Sequence, residues 1–280
     1  MRGVVAVPWL ALSACSFQHG VSVGDASPPD TQRSDADIDA PNEGLVSRNL
    51  VARYFIDEAA AGQSPTQLTD AAANPFPLAM TYTGTLSFTE VATQRGLHWT
   101  TPGDLGRASA PIDNTKITMA LAGAKRWTYE LVVDLRNATS GECRLISIGN
   151  GTATYGDAAL ITSDLTTLRL HVDATYAHWN VTFGSGRVVL HAVVDTTLAT
   201  STSRYQLFVN GTQALRIAGT VPVQDAGLVI PANDYLAIGN VEGAGRSPGG
   251  DVYYAAIYSD ALTPAEITAN TARLLANDDH

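Results

Sequence analysis

Apolar and polar side chains alternate with a period of two in the segment from residue 126 to residue 135. The apolar positions are Trp127, Tyr129, Leu131, Val133 and Leu135, and the polar positions between them include Arg126, Thr128, Glu130 and Asp134. This period is typical of a β-strand in a sheet that buries one face and leaves the other face wetter. The segment therefore predicts a strand with its aromatic and aliphatic side chains in a core.

Short apolar segments bounded by Gly, Pro, Asn or Asp continue through the rest of the chain. They are residues 50–56, 78–82, 86–91, 97–100, 144–148, 168–172, 177–183, 188–194, 205–209, 213–217, 235–238 and 252–258. Strands at this spacing predict an all-β sandwich or barrel. Asn210-Gly211 lies between two of them and favours a type I′ hairpin, because both residues tolerate a positive φ.

One helix is predicted near the end of the sequence. Thr263 is a suitable N-cap, Pro264 fits the first helical position, and Glu266 completes a capping box. The helix then places three residues on one face: Ile267, Thr271 and Leu274. We expect this face to pack against the sheets.

Composition limits the classes of partner. The chain has 280 residues, of which 45% are hydrophobic and 16% charged, so it is long enough for one or two globular domains. Its net charge is −10, and Lys116 and Lys125 are its only lysines. We expect no nucleic-acid partner, because no basic surface is available to neutralise phosphates. No apolar run is long enough for a membrane span, so we expect any membrane contact to use a surface anchor.

The first residues, MRGVVAVPWLALSAC, predict a secretory leader: one Arg, an apolar run, and small residues before Cys15. The ending Leu12-Ser13-Ala14-Cys15 resembles the bacterial lipobox, which implies cleavage after residue 14 and lipidation of Cys15. An ordinary signal peptide with a chance Cys, or a wrongly chosen start codon, is the alternative. The expected location is the bacterial cell envelope, with the exported chain attached by lipid only.

Three parts follow from these observations. Residues 1–14 are the predicted lipoprotein signal peptide, and residues 15–43 are a predicted acidic disordered tether, rich in Asp, Pro and Ser. Residues 44–280 form the predicted β domain. Cys143 lies in an apolar stretch of that domain and is expected to be a small core side chain, so no disulfide is expected to stabilise the fold.

Four segments of the predicted domain resemble one family. GGDVYYAAIYSDALTPAEI resembles the closing segment of laminin G-like domains of the concanavalin A-like jelly-roll superfamily. TYELVVDL, RYQLFVNGT and YLAIGN resemble earlier strands of that family, in the same order and spacing. The resemblance implies a jelly-roll sandwich of two antiparallel sheets with a short C-terminal helix. The superfamily includes lectins, adhesive modules, glycan-binding appendages and glycosidases, so fold alone does not assign a function.

Glycan binding needs aromatic faces beside polar hydrogen-bonding groups. The candidate residues are Tyr176, His178 and Trp179 in TYAHWNVTF, His98 and Trp99 in GLHWTT, and Glu242 and Arg246 in the glycine-rich loop 241–250. Core packing is the alternative reading for each aromatic residue. Tyr176 and His178 are expected to share one strand face.

Calcium is a candidate cofactor, because many laminin G-like and pentraxin-like domains bind it. Oxygen ligands could come from Asp57, Asp70 and Asp251. The closing strand has Tyr253 where relatives often carry Asp, which weakens the resemblance at this point.

An enzymatic reading would need two carboxylates flanking a glycosidic bond. Glu130 and Asp134 share a strand face, but their backbones lie on the order of 13 Å apart at about 3.3 Å per residue. Glycosidases need carboxyl groups about 5 to 9.5 Å apart. We therefore expect two solvated acids and no catalytic activity. The predicted function is a non-catalytic surface lipoprotein that binds glycan or another surface protein, with a structural envelope protein or a glycoside hydrolase as the alternatives.

Overall fold

The structure is a computed structural model that describes residues 44–91, 94–137, 142–150 and 158–277. The predicted signal peptide, Cys15 and the predicted tether lie outside the described residues and stay predictions. The described residues form two antiparallel β-sheets with a common core between them. The predicted fold class, an all-β sandwich with a C-terminal helix, is confirmed.

The first sheet has eight strands. Numbered in chain order and given in spatial order, seven of them are β14 (Thr212–Gln213), β13 (Tyr205–Val209), β12 (Val188–Asp195), β7 (Arg126–Asn137), β17 (Gly249–Tyr258), β5 (Gln94–Trp99) and β4 (Leu86–Val91). The eighth, β1 (Leu50–Phe55), pairs with β17 beyond the stretch that β5 uses. The strand β17 therefore has β7 along one edge and both β1 and β5 along the other.

The second sheet has nine strands. Their spatial order is β15 (Arg216–Ala218), β11 (Thr175–Asn180), β10 (Thr167–Val172), β9 (Ala158–Asp164), β8 (Cys143–Gly149), β16 (Tyr235–Ile238), β6 (Arg107–Pro111), β3 (Leu78–Thr81) and β2 (Gln67–Leu68). Two residues, Asp173 and Ala174, connect β10 to β11, and Asp173 has a φ of 51°. This tight connection places the side chains of the two strands directly opposite each other.

Apolar side chains from both sheets meet in the core. Trp99, Trp127 and Trp179 all lie there, and none is more than 1% exposed. Cys143 is also buried, as predicted. The hairpin at Asn210-Gly211 is confirmed: it joins β13 to β14, and its two residues have φ values of 48° and 76°.

The C-terminal helix, α2 (Pro264–Ala276), begins with the predicted capping box between Thr263 and Glu266. Its buried residues Ile267 and Leu274 pack against the outer face of the first sheet. The prediction that one face of β7 is exposed to water is therefore wrong, because Thr128 and Glu130 on that face are fully buried. Neither helix in the described residues is long and apolar enough to cross a membrane.

The structure also contains elements that were not predicted. They include the strands β2, β6 and β9 and the short helix α1 (Lys116–Leu121). The strand β6 reads RASAP and carries no large apolar side chain, so it has no sequence pattern of its own. Residues 213–217, predicted as one strand, are divided: the chain leaves the first sheet at Gln213 and enters the second at Arg216.

Candidate functional site

A groove lies on the outer face of the second sheet, over the hairpin of β10 and β11. Its volume is about 480 Å³, within the range of small-molecule sites. It is lined by Arg169, His171, Asp173, Ala174, Tyr176 and His178. We call it the β10–β11 groove. It brings together two residues predicted from sequence, Tyr176 and His178, with four that were not.

Three rings form a row across the groove. His171 and Tyr176 are cross-strand partners, and their rings stack with centroids 5.4 Å apart and planes 16° from parallel. The ring of Tyr176 also lies 4.9 Å from that of His178, at an angle of 40°. Tyr176 and His178 stand two residues apart on β11 and therefore share its outer face, as expected from the strand period.

Both imidazoles of the row are neutral near pH 7. Burial lowers the pKa of His171 to about 4, and the positive charge of Arg169 acts in the same direction. Burial also lowers the pKa of His178, again with Arg169 assisting. A neutral imidazole offers one donor and one acceptor, which suits hydroxyl groups better than it suits ions. Within the described residues, Nε2 of His178 is enclosed and has no hydrogen-bond partner.

A line of charged residues continues from the groove across the second sheet. Arg169 is hydrogen-bonded and ion-paired to Glu142, which precedes β8. Arg144 follows Glu142 by two residues and lies on β8, where it is 1% exposed. Its backbone N–H donates to the carbonyl of Arg246 at 2.7 Å. The loop 241–250 is therefore joined to the backbone of β8 through Arg246.

Glu242, the other residue predicted in this loop, has a local structural role. Its carboxylate accepts hydrogen bonds from Arg107 Nε at 2.7 Å and Ser109 Oγ at 2.8 Å. Burial opposes ionisation, but the hydrogen bonds from Arg107 and Ser109 outweigh it and lower the pKa of Glu242. Glu242 therefore fastens the loop to β6.

The remaining aromatic candidates lie elsewhere. Trp99 and Trp179 are core residues, so their ring faces are not open to a ligand. His98 is on the outer face of the first sheet, where its Nδ1 lies 2.6 Å from Asp251 Oδ1. The two predicted aromatic groups therefore lie apart: His98 and the β10–β11 groove belong to different sheets.

The three candidate calcium ligands are not assembled into a site. Asp70 accepts backbone hydrogen bonds from Arg53, Ala72 and Phe76 and forms an ion pair with Lys116. Asp251, besides His98, pairs with Arg136. Asp57 lies half-buried just after β1. Within the described ranges, no cluster of three or more His, Cys, Asp or Glu side chains could hold a metal ion.

The carboxylates considered for catalysis are not solvated, contrary to the prediction. Glu130 is fully buried beneath α2, and Asp134 is 7% exposed. Asp134 forms an ion pair with Arg136 at 3.0 Å. The prediction failed because the helix that covers this face is distant in sequence from β7.

Comparison with known proteins identifies the fold family. A family model described as the concanavalin A-like lectin/glucanases superfamily matches residues 110–268. The chain belongs to this superfamily. The predicted resemblance to its laminin G-like domains is therefore confirmed over these residues. A search of curated protein sequences finds no significant match.

Solved structures share the superfamily fold with this chain at low identity. A Trypanosoma rangeli sialidase is 14% identical with a TM-score of 0.56; the match covers 82% of this chain and 33% of the sialidase. Domain 4 of AbnA, a GH43 extracellular arabinanase from Geobacillus stearothermophilus solved in complex with arabinotriose, is 15% identical with a TM-score of 0.52. That match covers 80% of this chain and 98% of the domain. The chain thus spans about a third of the sialidase and nearly the whole arabinanase domain.

Of the four groove residues that were not predicted, Arg169 and His171 have side chains long enough to reach a ligand. Both stand on β10 and alternate with the core residues Leu168 and Leu170. This alternation already marks them as facing away from the core. The sequence did not show that β10 and β11 are adjacent in register, which is what brings His171 beside Tyr176.

Proposed function

We propose that this member of the concanavalin A-like superfamily is a non-catalytic module that binds glycan in the β10–β11 groove. The row of rings formed by His171, Tyr176 and His178 is the observation that carries the proposal. Sugar rings present apolar faces that stack on aromatic side chains and hydroxyl groups that need polar partners at the edge. The groove supplies both in one place.

The polar groups around this row suit hydroxyl groups. The imidazole of His178 is neutral near pH 7, and among the described residues its Nε2 has no hydrogen-bond partner, so it is able to bond a sugar hydroxyl. The ion pair with Glu142 orients Arg169 and offsets its charge. A site with such balanced charge favours a neutral or weakly acidic sugar over a highly charged one.

The fold family supports a carbohydrate ligand in general terms. The arabinanase domain described above was solved with arabinotriose and has a similar fold. At 15% identity this likeness concerns the fold.

Binding without cleavage is supported by the state of the buried acids. Glu130 is enclosed by hydrogen-bond partners from β12, β17 and α2, and a substrate would have to displace the helix to reach it. Asp134 and Asp251 are cross-strand neighbours held by Arg136.

The proposal includes display at the cell envelope through lipid on Cys15.

A protein partner is the second candidate, and one observation favours it. Four of the exposed large apolar side chains lie within residues 215–229: Leu215, Ile217, Val223 and Val229. Large apolar side chains that a segment exposes to solvent are candidate contacts for a protein partner.

A glycan array tests the proposal. The full chain carrying Cys15→Ala, which removes the lipidated thiol, is applied to the array beside the same chain with Tyr176→Ala. We expect saturable binding to one class of glycan that the second substitution abolishes. Absence of binding by a folded chain would contradict the proposal and favour the protein partner, to be sought on the surface formed by residues 215–229.

A further inference from the structure

A second cavity lies next to the groove, at the end of the sandwich where β10 turns into β11. Its volume is about 220 Å³. Its apolar wall is formed by Trp127, Val172, Val194, Pro222, Val223 and Leu228. Val223 is 75% exposed, so the cavity reaches solvent beside this side chain. We call this space the end cavity.

The polar side chains of its wall bind partners within the protein. The hydroxyl of Thr175 lies 2.7 Å from the hydroxyl of Tyr205. The hydroxyl of Thr196 donates to the carbonyl of Ala226 at 2.6 Å. Because these groups already have partners, the wall offers few hydrogen bonds to water or to a polar ligand.

The size of the end cavity limits what it can hold. An apolar cavity of about 150 Å³ is enough to bind benzene. At about 220 Å³, the end cavity has room for one aromatic ring with a short linker, or for an alkyl chain of about six carbons. An apolar group of this size would be transferred from water to an apolar surface, which is favourable in proportion to the area buried.

The end cavity and the β10–β11 groove share two wall residues, Asp173 and Ala174. These are the residues that connect β10 to β11, so one side of the turn faces the rings and the other faces the apolar wall. A ligand that crosses the turn contacts both spaces.

We infer that the ligand is an amphiphilic glycoside, with its sugar in the β10–β11 groove and an aryl or short alkyl substituent in the end cavity. The inference rests on the proposed function for the sugar, and it adds the chemical class of the attached group. The exposed apolar residue Val223 lines the end cavity and borders the route by which such a group enters.

The apolar half is tested first, without any sugar. Benzyl alcohol is titrated into the full chain carrying Cys15→Ala, and binding is followed by tryptophan emission and by ligand-observed NMR. Trp127→Phe identifies the emission that comes from the cavity wall. We expect saturable binding that Ala226→Leu weakens at least about fivefold by filling the cavity. Ala276→Leu on α2, an exposed position, is the matched control and should leave it unchanged.

A second filling variant, Ala124→Leu, covers the case in which Ala226→Leu does not fold. The amphiphile is then tested with the methyl and benzyl glycosides of the sugar selected by the array. We expect the benzyl glycoside to bind about tenfold more tightly, and Ala226→Leu to remove that advantage.

The outcomes separate the two proposals. Glycan binding without benzyl alcohol binding would overturn this inference and leave the proposed function intact. Benzyl alcohol binding with equal affinity for the two glycosides would also overturn the inference, because the two spaces would not serve one ligand. Benzyl alcohol binding by a chain that binds no glycan would contradict both.

Discussion

The side-chain amide of Asn270 on α2 donates a hydrogen bond of 2.6 Å to Glu130 Oε2 on β7, across 140 residues of sequence. The same oxygen lies 2.8 Å from His191 Nε2, and the other accepts hydrogen bonds from the hydroxyls of Tyr254 and Tyr258. Burial raises the pKa of a carboxyl group, but these hydrogen bonds outweigh it and lower the pKa of Glu130. The helix is thus held to the sheet by an ionised, fully buried carboxylate.

We expect Glu130→Gln to lower the free energy of unfolding by about 3 kcal/mol, because it removes a buried negative charge that pairs with His191 and stabilises the charge of Arg53. Urea unfolding of the Cys15→Ala chain measures the change. Glu90→Gln, at a partly exposed position on β4, is the control and should change stability by less than about 0.5 kcal/mol. Equal effects of the two substitutions would show that the network contributes little.

Tyr176→Ala and His178→Ala should each weaken binding of the selected glycan about tenfold or more. The first substitution removes the stacking surface, and the second removes a hydrogen-bonding group at its edge. Isothermal titration calorimetry of the Cys15→Ala chain measures both.

His98→Ala provides the matched histidine control, because His98 lies on the other sheet and is 26% exposed in its side chain. We expect it to bind glycan as the unsubstituted chain does. Loss of binding in His98→Ala, with retention in His178→Ala, would place the sugar on the first sheet and contradict the assignment.

His171 should make the fold less stable in acid. Its pKa falls from 6.5 to about 4 in the folded chain, mainly through burial, so the unfolded chain binds more protons between these values. The stability that it contributes is present above pH 6.5 and is lost as the pH falls toward 4. Between pH 7 and pH 5 we expect a loss of about 1 to 2 kcal/mol that His171→Gln removes. Urea unfolding at the two pH values tests this; equal losses in both chains would refute it.

Cys15→Ala should move the chain from the membrane fraction to the soluble fraction of a bacterial host. The reason is that several acyl chains hold a protein on a bilayer, and each buried methylene contributes about 0.8 kcal/mol. Fractionation followed by immunoblotting measures the distribution. Cys143→Ala is the control and should leave the chain in the membrane fraction, because Cys143 is buried in the domain. An unchanged distribution of Cys15→Ala would exclude the lipid anchor.

Local sequence signals predicted several elements well. The capping box at Thr263 and the turn at Asn210-Gly211 were found because each depends on residues within a few positions of one another. The strands 86–91, 205–209 and 235–238 were predicted at their observed bounds, because turn residues delimit each apolar segment.

Features that depend on distant parts of the chain were not predictable in this way. Glu130 looked like a solvated residue of an alternating strand, but Asn270 and its helix cover it. Trp179 and His178 are neighbours in sequence, yet one is in the core and the other in the groove. The alternation along β11 places them on opposite faces of the strand. The packing of the second sheet against the first decides which of the two faces is buried.

The central position of β17 has a consequence for how the chain folds. This strand joins β7 on one edge to β1 and β5 on the other, and Tyr254 contacts Glu130 and Arg53 over 124 and 201 residues. Contacts between residues so distant in sequence slow folding, because the chain loses the entropy of loop closure before the contacts contribute any stabilising free energy. Residues 249–258 must therefore be synthesised before the first sheet can close. Until β17 pairs with them, β1 and β7 each have an unpaired edge that can aggregate with another chain.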